Sequence, residues 1–203
     1  MKVFQVTLLI VGLVAAASSA PKSVIDSLKA NLGPDIEDIK IHSKDLIERV
    51  NYHLLDDVPV FLRVPYSGSA TLVSHFSSDA QDVIDSADSD IRRMKYHIQT
   101  AINELYPTDL PITNILQVLT QQLEDARKVT VVKKEQLVQQ ASSHVLADTS
   151  LIAKEGEDAA RKTVMGHVND DFNLYVSNVN DFIAKVEGSV KDAYIKLQKL
   201  IYE

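Results

Sequence analysis

The sequence predicts an all-α protein: an elongated antiparallel bundle of about four long amphipathic helices plus one short N-terminal helix, with coiled-coil-like packing. Apolar residues recur over long stretches at steps of three and four, which is the period of one helix face. With 6 Gly and 6 Pro in 203 residues, the chain has too few turn residues for a typical β fold. It has no cysteine, so packing alone must hold the fold together.

Residues 1–19 are predicted to be a secretory signal peptide. A lysine precedes a mostly apolar run, Val3–Ala17, and the small residues before Pro21 suit cleavage after Ser19. An apolar run of about 15 residues is too short for a comfortable membrane span, which needs about 20. The rest of the chain, residues 20–203, is predicted to be one secreted helical-bundle domain without a transmembrane anchor.

The mature chain is predicted to begin with a short helix followed by a longer one. The short helix spans Ser23–Leu32 and ends at Gly33 and Pro34, a pair that commonly stops helices. The longer helix starts at Pro34 and has acidic residues in its first turn, where the helix dipole favours negative charge. It is expected to fade near Asp56.

The segment Val58–Tyr66 is predicted to be an extended connector, because its two prolines prevent a regular helix. It is mostly apolar and carries a single charge, Arg63, and such a segment seldom lies in water without a reason. Two interpretations remain open: a lid over the open end of the bundle, or a contact site for a ligand or partner. The candidate binding residues are Val58, Val60, Phe61, Leu62, Val64 and Tyr66.

Three long amphipathic helices are predicted in the rest of the chain, after a turn at Ser67–Ser69. The first has the most regular apolar stripe and is expected to stop before Pro107. A break and a new helix cap are expected at Asp148–Ser150. The predicted helices are Leu72–Leu105, Ile112 to about Ala147, and Leu151–Tyr202.

The chain contains no recognisable catalytic or metal-binding motif, so it is predicted not to be an enzyme and to need no cofactor or metal. None of its six histidines belongs to a His-Glu-x-x-His motif. They are expected at the margin of the core, with a pH-sensitive bundle as the alternative. Asp79, Asp82, Asp85 and Asp88 recur at steps of three, which spiral around a helix, so they predict a solvated acidic face rather than a calcium site.

Charge and stripe composition narrow the possible partners. The net charge of −7 argues against nucleic acid. The narrow stripes, without Trp, favour a protein-interaction module that acts through self-association or an unknown protein partner. The alternative is an exchangeable carrier of lipid or another hydrophobic ligand, because a bundle held by apolar stripes can open on a lipid surface. In this architecture the chain resembles exchangeable apolipoproteins such as the insect apolipophorins, although no individual motif carries the resemblance.

Overall fold

The computed structural model describes the backbone of residues 2–202, which form a bundle of four α-helices, and the side chains of residues 21–201. Each helix packs beside two others: α2 and α4 both lie against α1, and both lie against α3. The predicted all-α bundle of four long helices is confirmed. The predicted signal peptide lies outside the described side chains and stays a prediction. The helices are α1 (Lys2–Arg63), α2 (Pro65–Leu105), α3 (Leu110–Glu155) and α4 (Glu157–Tyr202).

The prediction of a separate short helix over Ser23–Leu32 is wrong, because α1 continues through Gly33 and Pro34. Leu32 and Ile39, on either side of the proline, are buried in the same core cluster, so packing on both sides maintains the helix direction. Pro34 itself is exposed, so water can reach the backbone carbonyl that loses its helical hydrogen bond.

The extended connector predicted for Val58–Tyr66 is also wrong, because α1 runs on to Arg63 and α2 begins at Pro65. Between them only Val64 leaves the helical conformation, with φ −132° and ψ 71°. Two proline rules explain the position of this bend. A residue that precedes proline avoids the helical region, and proline suits the first position of a helix. Pro59 lies inside α1 on an exposed side, where water can replace its missing hydrogen bond.

The end of α2 at Leu105 confirms the predicted stop before Pro107. At the start of α3, the Asp109 side chain accepts a hydrogen bond from the backbone N–H of Ile112 at 3.3 Å. This contact satisfies one of the free N–H groups of the first turn.

The break predicted at Asp148–Ser150 is wrong, because α3 continues to Glu155. The hydroxyls of Thr149 and Ser150 donate to backbone carbonyls one turn earlier, at 2.7 and 3.2 Å, so these polar residues are satisfied inside the helix. The chain turns instead at Gly156, whose φ of +86° strains any residue with a side chain.

We refer to the end of the bundle that holds Tyr106–Asp109 as the loop end, and to the end that holds Val64 and Gly156 as the bend end. Buried apolar side chains of all four helices form three clusters, one at each end and one between them. The predicted stripe of α2 faces this core. Met94 and Ile98, for example, are 0% exposed.

Candidate functional site

The six apolar residues of the predicted connector divide evenly between the core and the surface of the bend end. Three are buried in the bend-end cluster: Val58, Phe61 and Leu62. The other three are exposed: Val60, Val64 and Tyr66. The buried set covers the end of the core as a lid would, whereas the exposed set is open to a partner. Binding by these residues stays a prediction.

A close approach of α1 and α2 holds the buried residues of this segment in place. A Cβ atom at Gly68 would lie 2.6 Å from the Cα atom of Phe61 and 2.9 Å from its backbone nitrogen. Both distances are too short for non-bonded atoms, so glycine allows the first turn of α2 to reach α1. The turn predicted at Ser67–Ser69 is therefore wrong, and the glycine serves helix packing instead.

A groove of about 270 Å³ lies between α1 and α4 at the bend end. Val58 and Leu62 contribute to its lining, together with Leu55 and Met165, which are 62% and 39% exposed. Among the described residues that line it, Arg161 is the one that carries a charge. Of the four pairs of neighbouring helices, α1 and α4 are also the least closely packed.

A second and more open groove lies between α2 and α3 at the same end. Tyr66 and Leu146 border this groove, and they are 77% and 72% exposed. Most of the remaining lining consists of serine and threonine, and the described residues that line the groove include no charged side chain. The bend end therefore offers two uncharged or weakly charged grooves, and candidate residues contribute to both.

All six histidines contact an aspartate on the other helix of their own hairpin, where the hairpins are α1 with α2 and α3 with α4. The six aspartates are between 2% and 8% exposed, so their carboxylates are removed from water. The distances from histidine Nδ1 to the carboxylate are His42–Asp90 3.5 Å, His53–Asp79 2.8 Å, His75–Asp57 2.7 Å, His97–Asp35 2.9 Å, His144–Asp171 3.0 Å and His167–Asp148 2.9 Å.

Four of these pairs form two equivalent tetrads at the bend end. Each helix carries one His-x-x-x-Asp sequence, and in an antiparallel hairpin the histidine of one copy faces the aspartate of the other. The ring centroids lie 5.4 Å apart in the first tetrad and 4.3 Å apart in the second, where the rings stack. The first tetrad is His53, Asp57, His75 and Asp79, and the second is His144, Asp148, His167 and Asp171.

Four of the six histidines lie half-buried at the core margin as predicted, whereas His42 and His75 are exposed, and the aspartate partners were not predicted. The signal that could have found them is the occurrence of His-x-x-x-Asp on each of the four long helices. Because a carboxylate only accepts hydrogen bonds, each ring must carry a proton on Nδ1 and donate it to the aspartate. The other nitrogen, Nε2, is then the one left for solvent or a ligand.

The two tetrads also share an additional donor, placed four residues before the histidine of the first helix in each hairpin. The Nε atom of Arg49 lies 3.3 Å from Asp79, and the side-chain amide of Gln140 donates to Asp171 at 2.8 Å. The first tetrad therefore has a permanent positive charge beside one of its carboxylates. The second tetrad has only a neutral donor there.

At the loop end, Arg93 lies beside the aspartates that face histidines. Its guanidinium is 2.6 Å from Asp35, 3.1 Å from Asp38 and 3.2 Å from Asp90. Burial nevertheless raises the pKa of the Asp90 carboxyl above its ordinary value, and the nearby His42 and Arg93 only partly oppose this effect.

The aspartates that recur at steps of three along α2 have separate partners. The solvated face predicted for them is wrong for Asp79, which is 2% exposed and paired with His53. Asp88 instead contacts Arg127 on α3, at 2.6 Å. In the part of the chain that the structure describes, no group of three or more His, Asp or Glu side chains is arranged to hold a metal ion.

Among the described residues, no helical segment combines the length and the apolar character that crossing a membrane requires. The chain matches no protein-family model, no curated protein and no solved structure.

Proposed function

We propose that the protein is a secreted, non-enzymatic binding protein that takes up an apolar ligand between α1 and α4. The observation that carries this proposal is the seam between these two helices, which is the least closely packed pair of neighbours. The seam holds an apolar groove at the bend end, and two of the candidate residues, Val58 and Leu62, line it.

The connections between helices favour opening along this seam. Single residues, Val64 and Gly156, join the helices within each hairpin, whereas the longer segment Tyr106–Asp109 joins the two hairpins. The histidine–aspartate pairs also lie within the hairpins and hold them together. The hairpins can therefore move as units about the side where α2 packs on α3, and the seam between α1 and α4 on the opposite side is the edge that parts.

The size and lining of the groove fit this motion. At about 270 Å³ the groove is slightly smaller than the range of about 300–1,000 Å³ that is typical of ligand pockets, so a larger apolar ligand requires the seam to widen. Met165 in the lining is flexible and can adapt to different apolar shapes. In its amphipathic helices the chain resembles exchangeable lipid carriers.

A second candidate function, a protein-interaction module, is supported by the groove between α2 and α3. Tyr66 and Leu146 are large apolar residues that are mostly exposed beside this groove. Tyrosine is one of the residue types that most often anchor protein contacts, so Tyr66 is the candidate anchor. In this case the partner would bind without any separation of α1 from α4.

A cross-linking experiment tests the opening of the seam, and the absence of cysteine makes it specific. Lys40 and Glu187 form an ion pair across the seam at 2.7 Å, so Lys40→Cys with Glu187→Cys allows a bis-maleimide to join α1 to α4. The matched control, Lys133→Cys with Asp181→Cys, joins α3 to α4 within one hairpin, where the native residues also form an ion pair.

Binding is measured with an apolar fluorescent probe and with phosphatidylcholine vesicles. We expect the protein cross-linked across the seam to bind at least about tenfold more weakly than the cross-linked control. That factor corresponds to about 1.4 kcal/mol of binding free energy, which the closed seam would lose. Equal binding by the two cross-linked proteins would contradict opening of the seam. A wild-type protein that ignores probe and vesicles but sediments as a dimer would favour the interaction module.

A further inference from the structure

We propose that the two tetrads make the bend end responsive to protons: protonation of their imidazoles stabilises that end of the bundle, and deprotonation loosens it. This device does not depend on which ligand or partner the bend end binds. It follows from the arrangement of buried carboxylates and imidazoles in each hairpin.

The carboxylates of the tetrads depend on histidine for a compensating positive charge. Asp57, Asp148 and Asp171 face imidazoles at 2.7–3.0 Å, and no arginine among the described residues lies within ion-pair distance of these three. A neutral ring offers one hydrogen bond to a carboxylate that has lost its water, whereas a protonated ring also neutralises its charge. In the unfolded chain the same carboxylates are hydrated and gain much less.

The sign of the pH effect follows from this difference. Because a protonated imidazole compensates a buried carboxylate in the folded chain and a hydrated one in the unfolded chain, the folded chain gains more from proton uptake, and acidification from about pH 8 to about pH 6 should stabilise the fold. The protonated rings of each tetrad repel each other, but each faces its own carboxylate, so two positive charges offset two negative ones.

Other groups beside the tetrads modify this response without reversing it. Arg49, which also pairs with Asp82, supplies a permanent charge to Asp79, so the first tetrad should respond less than the second. From α4, Tyr175 lies near the same charges. Burial raises the pKa of its phenol, so it stays neutral throughout this range. In the second tetrad, Gln140 is neutral and contributes no charge.

The tetrads are connected to the groove through shared helical turns. Leu54 and Leu55 lie between His53 and Asp57 in the sequence, and both line the groove between α1 and α4. Val168 and Asn169 lie between the histidine and aspartate of α4 and line the same groove. Loosening of these turns at higher pH would therefore change the walls of the groove.

Hydrogen exchange of the full-length protein, read by mass spectrometry and corrected for intrinsic rates, tests the proposal at about pH 6 and about pH 8. Peptides from the second tetrad (141–149 and 164–172) should be at least about tenfold more protected at the lower pH, and peptides from the first tetrad (50–58 and 72–80) should gain less than that but more than about threefold. Peptides from the loop end (116–123 and 186–197) should change by less than about threefold. Equal changes at both ends, or weaker bend-end protection at the lower pH, would overturn the proposal.

A histidine-to-asparagine series isolates the role of the rings. Asparagine keeps a side-chain N–H donor but cannot gain a charge. His144→Asn with His167→Asn should abolish the response in α3 and α4 and preserve it in α1 and α2. The matched control, His42→Asn with His97→Asn, should leave the bend-end response intact. A response of α3 and α4 that persists in the first variant contradicts the proposal. If that variant does not fold, the proposal is tested by hydrogen exchange at the bend end and the loop end of the wild-type protein.

Discussion

The two ends of the bundle bury aspartates at helix interfaces but compensate their charge differently. At the loop end, the guanidinium of Arg93 contacts both Asp35 and Asp90, so a permanent cation lies beside the carboxylates. At the bend end, Asp148 has His167 as its partner, and a histidine is a cation only when it is protonated. Similar histidine–aspartate pairs can therefore stabilise the fold at any pH or only when the histidine is protonated, depending on whether an arginine accompanies them.

The backbone differs between the ends in a way that matches this contrast. The loop end turns through Tyr106–Asp109, and its core cluster is the largest of the three. The bend end turns through single residues and has a smaller core cluster, with a groove between α1 and α4 and another between α2 and α3. Fewer buried apolar contacts are a feature of regions that open locally, so the bend end is where ligand binding and pH dependence are most readily combined.

The largest expected effect is the loss of the buried aromatic ring at the bend end. Phe61 is 0% exposed, so Phe61→Ala should lower the free energy of unfolding by about 3–5 kcal/mol. The control Tyr66→Ala, at a residue 77% exposed, should change it by less than about 0.5 kcal/mol. Urea denaturation followed by circular dichroism measures both. Indifference to Phe61→Ala would refute the lid interpretation of this segment.

The next effect concerns the close approach of α1 and α2. Gly68→Ala should cost about 1–3 kcal/mol, because the new methyl group would lie 2.6 Å from the backbone of Phe61 and the helices must separate. Gly188→Ala is a matched control inside α4, where an added Cβ meets nothing within 4 Å, and it should gain about 0.5–1 kcal/mol. Thermal or urea unfolding compares the two. Equal effects would show that helix propensity, not the contact, governs Gly68.

A substitution with a smaller effect on stability should make the loop end respond to pH as the bend end is proposed to do. Arg93→Gln removes the permanent cation beside Asp35 and Asp90 and should cost about 1–2 kcal/mol near neutral pH, discounted because Arg93 is partly exposed. Hydrogen exchange of the loop end should then become pH-dependent, as proposed for the bend end. Arg92→Gln, at the exposed neighbouring position, is the control. A loop end that remains insensitive to pH would contradict the role assigned to the arginine.

Much of the fold could be predicted from the sequence, because apolar steps of three and four in Leu72–Leu105 directly encode the buried face of a helix. The errors occurred where local signals were outweighed by packing. Pro34 and Pro59 were predicted to interrupt helices, but both are exposed, and buried residues on either side maintain α1. Asp148 was predicted as part of a break because its pairing with His167, 19 residues away, cannot be seen locally.

The candidate site was predicted only in part for a similar reason. The apolar composition of Val58–Tyr66 identified a segment at the bend end, but which of its residues are buried depends on the contact with Gly68. The tetrads depend on the antiparallel register of each hairpin. A search for His-x-x-x-Asp on consecutive predicted helices could have found them, because reciprocal pairing follows once such helices are antiparallel.

The smallest expected effect concerns two tyrosines, one in the central cluster and one at the loop end. Among the described residues, the hydroxyls of Tyr175 and Tyr194 are buried without a hydrogen-bond partner. Removing such a hydroxyl forfeits no bond and relieves its loss of water, so Tyr175→Phe and Tyr194→Phe should each change stability near neutral pH by less than about 0.5 kcal/mol or slightly raise it. Burial also raises the pKa of both phenols above the ordinary value. At Tyr175 the positive charge of Arg49 opposes this rise only in part.

As the pH rises above about 10, the unfolded chain therefore releases these two protons before the folded chain does, and the wild-type protein loses stability there. The doubly substituted protein, Tyr175→Phe with Tyr194→Phe, should lose less stability between about pH 7 and pH 10.5, as measured by urea denaturation at both values. The single variants separate the central cluster from the loop end. A marked loss near neutral pH in only one of them would show that its hydroxyl has a hydrogen-bond partner in solution, such as a buried water, and that the other hydroxyl does not.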